Sequence, residues 1–422
     1  MEKKSIDMKK VMSCIEDLYR CGEQPDGTHT RMAYSQEDVK GREVFQNYFE
    51  ELGLKSRMDD AGNIFIRMKG KNDNLPAILV GSHLDTVPDG GKYDGVLGCV
   101  AGLAICDAVI RSGEQLEHSL EVVVFTDEEG FRFGSGLLGS SAICGEDPEI
   151  KEDDIDLYGQ RRSEVMRAYG ISPGNIRKAK KDKESVHCFF ELHIEQGGIL
   201  DKKKIPIGLV TSIAGVSRYE IVISGEANHA GSTVMGDRRD ALVGASKLIA
   251  VIPEIVEQYG NAYSVATVGT MKVSPNSVNV IPGEVTFNLE IRDQDIGVIQ
   301  LLEDKIKAYL ERVCADNQLI CSFQKISAHD AAPMSEWVKK AIKKAIDKQK
   351  YDYIEIPSGA FHDSLIMTAK FPTGMIFIPS INGISHSRYE LSREEDIQKG
   401  CEVLFQAVLE VDQIKKQEER AR

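Results

Sequence analysis

The sequence lacks the features that would place the chain in a membrane or in a secretory route. It has no run of about eighteen consecutive apolar residues, which a membrane-spanning helix requires. Its opening stretch, MEKKSIDMKKVMSCIEDLYRCG, lacks the continuous apolar core and small-residue cleavage site of a signal peptide. Nine cysteines occur without CxxC spacing, which favours reduced, buried thiols over a disulfide framework. We therefore expect a cytoplasmic protein without membrane contact.

Positive charge is also scarce in this chain. Lys and Arg number 52 against 66 Asp and Glu, giving a formal net charge of −14. This excess of negative charge repels phosphate backbones and anionic lipids, so nucleic acid is not an expected partner. Hydrophobic residues at 42% and charged residues at 28% are ordinary for globular proteins. The composition therefore predicts a folded chain.

Length and periodicity predict two domains. The 422 residues exceed the roughly 250 to 300 that one hydrophobic core serves. Three short apolar runs end in polar groups, namely AILVGSH (77–83), LEVVVFTDEE (120–129) and CFFELHIE (188–195). Such runs are typical of buried parallel strands joined by crossovers. We predict an α/β catalytic domain with a mainly parallel sheet flanked by helices.

The pattern of hydrophobic and polar residues changes at about Val216. VSRYEIVISGE alternates, helical patterns cover about 239–259 and 296–316, and SVATVGTMKV and GEVTFNLEIRD resemble antiparallel partners. After His329 and Pro333 the chain returns to a helix and the apolar strand GMIFIPS. We predict a discontinuous catalytic domain over 1–211 and 328–422, interrupted by a smaller α+β domain over 212–327.

Acids and imidazoles recur at the ends of the predicted parallel strands, where ligands gather in open α/β sheets. Imidazole together with carboxylate is the donor set preferred by divalent metals such as zinc. Each residue alone has a plain structural explanation, because a strand-end histidine is often only hydrogen-bonded, DEEG is often a solvated turn, and Asp94 could cap a helix starting at Gly95. The coincidence at four strand ends favours one shared site. The residues concerned are His83, Asp85, Asp94, Asp127, Glu128, Glu129, His193, Glu195 and His386.

Six ordered motifs give the chain a specific resemblance. GSHLDTVPDGGKYDG, FTDEEG, ELHIEQG, NHAGSTVMGDRRDA, PNSVNVIPG and NGISH resemble zinc-dependent amidohydrolases of the hydantoinase/carbamoylase family. That family includes N-carbamoyl-L-amino acid hydrolases, allantoate amidohydrolases and β-ureidopropionases, and is related to aminoacylases and carboxypeptidase G. The resemblance extends from about residue 28 to the C-terminal helix.

The resemblance implies a centre of two divalent metal ions. His83 and His193 would hold the first ion and Glu129 and His386 the second, with Asp94 bridging them. Zinc is the expected metal, with manganese, cobalt or nickel as alternatives. Two such ions share a water whose proton becomes easier to remove.

The resemblance also assigns catalytic roles. Asp85 would orient the His83 imidazole, and Glu128 would be the general base. His229 would polarise the substrate carbonyl from the partner subunit of a homodimer, with the inserted domain acting as lid and dimerisation domain.

Substrate contacts are implied for five residues. Arg292 would grip a carboxylate, although an edge-strand salt bridge explains it equally well without the resemblance. Gln196 and Asn279 would bind the ureido group, beside Gly359 and Ala360. In SGAFHDS, Phe361 and Ser364 replace a glycine and an alanine of the family pattern, and Arg388 and Tyr389 depart from it after His386. A ring at position 361 would either narrow the pocket or turn away.

The function implied is hydrolysis of a linear ureido C–N bond in an N-carbamoyl-L-amino acid, releasing amino acid, CO₂ and ammonia. Allantoate is the alternative substrate, because it too offers a carboxylate and a ureido carbonyl. An aminopeptidase or deacylase, or a non-catalytic binding protein on the same scaffold, stays open as a further alternative.

Overall fold

The computed structural model describes residues 5–146 and 150–413. The extreme ends of the predicted catalytic domain, 1–4 and 414–422, lie outside the described residues. The chain divides into two compact units, one comprising the residues up to Thr211 and from Pro333 onward, the other Ser212–Ala332. A strand that spans Ile320–His329 continues past the predicted boundary at 327, and the smaller unit ends after it, at Ala332.

Strands and helices alternate along most of the described chain. The strands are β1 Ser56–Met58, β2 Ile64–Met68, β3 Ala77–His83, β4 Leu120–Phe125, β5 Val186–Ile194, β6 Ile207–Ile213, β7 Gly215–Ser224, β8 Val265–Ser274, β9 Glu284–Asp293, β10 Ile320–His329, β11 Ala332–Pro333, β12 Tyr353–Ser358 and β13 Thr373–Ile378. The α-helices are α1 Met8–Arg20, α2 Gln36–Glu50, α3 Val96–Ser112, α4 Leu138–Cys144, α5 Arg162–Ala168, α6 Ile199–Lys203, α7 Ala241–Tyr259, α8 Ile296–Asp316, α9 Glu336–Gln349, α10 Asp363–Met367 and α11 Glu394–Asp412.

The larger sheet has the order β1-β2-β4-β3-β5-β13-β6-β11, with β12 also pairing with β6. Its four central strands, β4, β3, β5 and β13, run parallel, whereas β1, β2 and β6 pair antiparallel. In register, His83 lies opposite Phe125, and His193 lies opposite Phe377. The mainly parallel sheet of the prediction is therefore confirmed, and its carboxyl ends share one edge.

Helices cover both faces of this sheet. Val80 and Val122 belong to a core that includes residues of α1, α3, α9 and α11. The alternate residues Leu79 and Val123 belong to a second core with residues of α4 and α10. Because successive side chains point to opposite faces, burial on both sides explains why these strands read as continuous apolar runs.

Small residues let α3 lie close to the sheet. A Cβ added at Gly98 would lie 2.7 Å from the Cβ of Ser82 and 2.8 Å from the carbonyl oxygen of Leu192. This close approach fixes the start of α3 against β3 and β5, next to the loop that carries Asp94.

The second unit is a four-stranded antiparallel sheet in the order β10-β7-β9-β8. Residues of α7 and α8 share a hydrophobic core with alternate residues of β7 and β9. The predicted antiparallel pairing of β8 with β9 is confirmed, as are both long helices.

Two local features of the larger unit and the state of the cysteines are also defined. The Ser35 hydroxyl accepts a hydrogen bond from Asp38 N and caps α2, and the stretch around DDAGN forms the hairpin β1–β2. All nine cysteines are free, and most are buried. Within the described ranges, none of the helices combines the length and apolar character needed to cross a membrane. The cytoplasmic location stays a prediction.

Candidate metal centre

Acids and imidazoles of the larger unit meet at the carboxyl edge of its sheet. His83 is the last residue of β3, and Glu128 and Glu129 lie in the loop after β4. His193 lies near the end of β5, and His386 lies in the loop after β13. Asp94 precedes α3. Parallel strands place their ends at one edge, which is why residues distant in sequence converge here.

Asp94 stands between two groups of donors. Its Oδ1 lies 3.2 Å from Nε2 of His193 and 3.6 Å from Nε2 of His83. Its Oδ2 lies 3.2 Å from Nε2 of His386, which in turn lies 3.7 Å from Oε1 of Glu129. The two oxygens of one carboxylate therefore face two separate donor sets.

These two sets have the geometry of candidate cation sites. Ligand atoms of His83, Asp94 and His193 all lie within 4.8 Å of one another, and so do those of Asp94, Glu129 and His386. The structure thus brings together all five residues to which the sequence assigns metal binding. Glu128 lies beside them, with Oε2 3.7 Å from Nε2 of His83.

The imidazoles are oriented for binding. Nδ1 of His83 lies 2.9 Å from the carbonyl oxygen of Asp85, and Nδ1 of His193 lies 2.9 Å from that of Ile194. A carbonyl oxygen can only accept, so each Nδ1 carries the proton and donates it. Each Nε2 faces Asp94 and is the ring nitrogen available to a metal ion.

Asp94 does not cap α3. The N-cap residue is Gly95, with φ 66° and without a side-chain cap hydrogen bond. A Cβ at Gly95 would lie 2.5 Å from the His83 ring. Only glycine combines this positive φ with such a close approach, so Gly95 allows Asp94 to face the imidazoles.

Asp85 contacts His83 through a different atom from the one expected. Its backbone oxygen, rather than its carboxylate, makes the short contact to His83, since the Oδ1 to Nδ1 distance is 3.9 Å. The carboxylate accepts hydrogen bonds from the backbone N–H groups of Glu128, at 3.4 Å, and Glu129, at 3.2 Å. Asp85 therefore ties the loop after β3 to the loop after β4.

Gln196 lies at the centre itself. Its Nε2 donates to Oδ2 of Asp94 at 2.7 Å and lies 3.3 Å from Nε2 of His386. Gln196 has φ 58°, and its buried Oε1 has no hydrogen-bond partner. The side chain can therefore offer an acceptor to a group that enters the centre.

The pKa values follow from burial and crowding. Burial alone would raise the pKa of Asp94, but hydrogen bonds from His193, His386 and His83 hold it well below its usual value. Burial raises the pKa of Glu129 to about 7, and the charge of Asp94 adds to this effect. Burial also raises the pKa of Glu128 well above its usual range, and Glu129 adds to this while His83 opposes it.

A divalent cation fits this donor set. Three imidazoles and several carboxylates converge in a largely buried cluster, and borderline metals prefer such ligands. Burial, and secondly neighbouring negative charge, raises the pKa of both glutamates. A cation would stabilise these groups in their charged forms.

The loop after β12 lies beside the centre. His362 packs edge-on against His193, with ring centroids 4.4 Å apart. Ala360 N donates to the Ser358 hydroxyl at 3.2 Å, whereas Gly359 is exposed and Phe361 half-buried. Ser364, which departs from the family pattern, donates to the buried carboxylate of Glu191 from its hydroxyl at 2.6 Å. The extra hydroxyl is thus satisfied within the fold.

Three residues with predicted roles lie in the smaller unit. Nδ1 of His229 accepts hydrogen bonds from the backbone N–H groups of Gly231, at 3.0 Å, and Ser232, at 3.2 Å. Asn279 lies close by, because its carbonyl oxygen accepts from Ala230 N at 3.0 Å. Arg292 donates from Nε to Oε1 of Glu290 at 2.7 Å, so the salt bridge considered from sequence is present.

His229 and Arg292 lie at opposite ends of the smaller sheet. The His229 loop leaves β7 after Ser224, which pairs with Glu284 of β9, whereas Arg292 pairs with Val216. The strand from Glu284 to Arg292 spans roughly 26 Å at about 3.3 Å per residue. One small molecule cannot touch both ends.

Sequence reasoning missed Glu390 and Ser385. The Ser385 hydroxyl lies 3.1 Å from Oδ2 of Asp94 and 2.8 Å from Oε2 of Glu390. The only signal for these residues is their closeness in sequence to His386, which does not reveal what they contact.

The fold and the donor set define an α/β protein with a candidate metal centre at the carboxyl edge of its sheet. A profile of Peptidase family M20/M25/M40 matches residues 79–410, and the chain belongs to this family.

Named relatives match nearly the whole chain. An N-carbamoyl-L-amino acid amidohydrolase of Geobacillus stearothermophilus is 36% identical, covering 97% of this chain and 99% of the relative. The allantoate amidohydrolase of Escherichia coli strain K12 is 34% identical, covering 91% and 93%. A crystal structure of a hydantoinase/carbamoylase family amidase from Burkholderia multivorans superposes with a TM-score of 0.88 at 32% identity, covering 96% of this chain and 98% of that one.

Proposed function

We propose that the protein is an amidohydrolase that cleaves a linear ureido C–N bond in an N-carbamoyl-L-amino acid. The observation that carries this proposal is the pair of donor sets sharing Asp94, with Glu128 beside them. Relatives named for N-carbamoyl-L-amino acids and for allantoate support the ureido group as the target.

The two donor sets would hold two divalent cations, with zinc as the expected metal. His83, His193 and Asp94 would hold one ion, and Asp94, Glu129 and His386 the other. When bound, such ions polarise a carbonyl and make a proton of water easier to remove.

Glu128 would move the proton. Its neighbour Glu129 faces His386, whereas Glu128 faces His83 and stays available as a base. The carboxylate would take a proton from water as the water oxygen bonds to the ureido carbon, and would pass it to the leaving nitrogen as the C–N bond breaks. Breaking the bond to the amino acid nitrogen releases the amino acid and leaves carbamic acid, whose own C–N bond then breaks to give CO₂ and ammonia.

His229 would stabilise the negative charge that develops on the carbonyl oxygen. Because its Nδ1 accepts from two backbone N–H groups, the neutral ring carries its proton on the exposed Nε2. Nε2–H is then a donor of fixed orientation, as such stabilisation requires.

The remaining substrate contacts would come from Arg292, Asn279, Gln196, Gly359 and Ala360. Arg292 would bind the carboxylate through its planar guanidinium. Arg292 lies at the opposite end of the sheet from His229 and Asn279. This separation supports a homodimer in which Arg292 serves one active site, and His229 together with Asn279 serves the other. The smaller unit would then act as lid and dimerisation domain.

Allantoate is the second candidate substrate, favoured by the relative named for it. The test reconstitutes purified protein with Zn²⁺, counts the bound metal, and measures ammonia release from N-carbamoyl-L-methionine and from allantoate in parallel. We expect faster release from the carbamoyl amino acid. Faster release from allantoate would reassign the substrate, and inactivity on both would reject the proposed function.

A further inference from the structure

The loop that carries His386 is bound to the loop that carries Asp94 through a buried carboxylate. Glu390 is 4% exposed. Its Oε1 accepts hydrogen bonds from two successive backbone N–H groups, those of Tyr93 at 2.8 Å and Asp94 at 3.1 Å. Glu390 therefore holds the backbone of the bridging residue directly.

A hydroxyl extends this link to the side chain of Asp94. Ser385 Oγ lies 2.8 Å from Oε2 of Glu390 and 3.1 Å from Oδ2 of Asp94. This oxygen of Asp94 is the one that faces His386, at 3.2 Å. Glu390 thus supports Asp94 on the side of the second donor set.

The chain is shaped to admit this carboxylate. A Cβ at Gly91 would overlap the Glu390 side chain, so only glycine permits the contact. Arg388 adds a second link between the loops, because its Nε donates to Oδ2 of Asp89 at 2.7 Å. Arg388 departs from the family pattern, yet it connects the same two loops.

We propose that Glu390 is a positioning residue that sets Asp94 and His386 at the spacing needed to bind the second cation. The inference rests on the proposed function, because it concerns the metal centre of that function. Glu390 acts through Asp94 and Ser385 and need not touch metal or substrate. Groups that orient metal ligands typically change metal affinity by about 10- to 100-fold when removed.

The chain offers a matched control in Asp412. This buried carboxylate also accepts from two successive backbone N–H groups, those of Glu117 at 3.0 Å and His118 at 2.8 Å. These groups precede β4, at the opposite edge of the sheet from the centre. Glu390→Ala and Asp412→Ala therefore remove the same kind of interaction, and only the first removes it next to Asp94.

The experiment titrates metal-free full-length protein with Co²⁺ and follows visible absorption, stoichiometry and thermal unfolding. We expect Glu390→Ala to bind its second Co²⁺ about 10- to 100-fold more weakly than wild type. Glu390→Gln should restore binding, because its amide oxygen still accepts from Tyr93 and Asp94. Asp412→Ala should melt earlier and bind both ions normally. Unchanged binding in Glu390→Ala, or an equal loss in Asp412→Ala, would overturn the inference.

Two further arms cover other outcomes. If Glu390→Ala does not fold, Ser385→Ala replaces it in the titration. Weaker binding of the second ion by Ser385→Ala supports the inference, and unchanged binding contradicts it. Wild-type protein that binds only one Co²⁺ also overturns it. If wild-type protein binds two ions yet hydrolyses neither ureido substrate, the proposed function is rejected. The role of Glu390 is then decided by the metal titrations alone.

Discussion

Two adjacent glutamates differ in what they face. Oε1 of Glu129 lies 3.7 Å from His386, whereas Oε2 of Glu128 lies 3.7 Å from His83. Both backbone N–H groups donate to Asp85, which fixes the turn that separates the two side chains. One residue can therefore serve as a ligand while its neighbour serves as a base.

This division predicts the behaviour of Glu128→Gln. The variant should keep its metal, because Glu128 lies outside the two proposed ligand sets, and should lose turnover by about 10²- to 10⁴-fold, the usual contribution of a general base. Metal analysis and kcat measured on the same preparation provide the check. Glu129→Gln is the comparison and should lose metal instead. Turnover near the wild-type value in Glu128→Gln would remove that residue from the base role.

At this scale the sequence predicted which residues meet, and it did not predict every contact between them. His83, Asp94, Glu129, His193 and His386 converge as expected. The choice between a backbone oxygen and a carboxylate of Asp85 depends on how the loop turns after β3, which residue types do not specify. Gln196 was assigned to substrate, yet it donates to Asp94.

At the scale of elements, helix α3 is bounded by two glycines that share a positive φ and differ in ψ. Gly95 precedes the helix with φ 66° and ψ −47°, and Gly113 follows it with φ 67° and ψ 11°. Their surroundings differ, because a Cβ at Gly95 would meet the His83 ring and a Cβ at Gly113 would have no atom within 4 Å. Both positions therefore disfavour a side chain through their positive φ, and only Gly95 also lies against the centre.

Gly95→Ala should therefore damage metal binding far more than Gly113→Ala. Both substitutions place a side chain at positive φ. The cost in the free energy of unfolding is roughly 1–2 kcal/mol for Gly113→Ala, which lies in the left-handed region, and larger for Gly95→Ala, whose ψ of −47° lies outside it. Only Gly95→Ala also displaces His83. Chemical denaturation and Zn²⁺ affinity of both variants test this expectation, and normal Zn²⁺ affinity in Gly95→Ala would contradict it.

At the scale of the whole molecule, the smaller unit presents its proposed substrate contacts at two ends. His229 and Asn279 lie at one end of its sheet and Arg292 lies at the other. In a homodimer in which His229 acts on the partner's active site, both ends of the sheet would contact substrate, because twofold symmetry repeats each contact in both protomers.

Mixing two inactive variants tests this arrangement. Glu128→Gln and His229→Ala should each be nearly inactive alone. In a mixed dimer, the protomer with intact Glu128 would receive intact His229 from its partner, so one of the two sites becomes complete. Random exchange of equal amounts should restore about one quarter of wild-type activity, as expected for twofold dimers. If His229 acts within its own protomer, mixing restores nothing.

The sequence by itself determined the layered α/β fold and which residues meet in the candidate metal centre. Continuous apolar runs specify strands buried on both faces, and parallel strands bring their ends to one edge, so acids and imidazoles at those ends must meet. Only the tertiary structure decided which atom of each residue faces which partner, because that depends on loop turns of a few residues. Glu390 shows the difference, since its contacts with Tyr93 and Asp94 join loops almost three hundred positions apart in the chain.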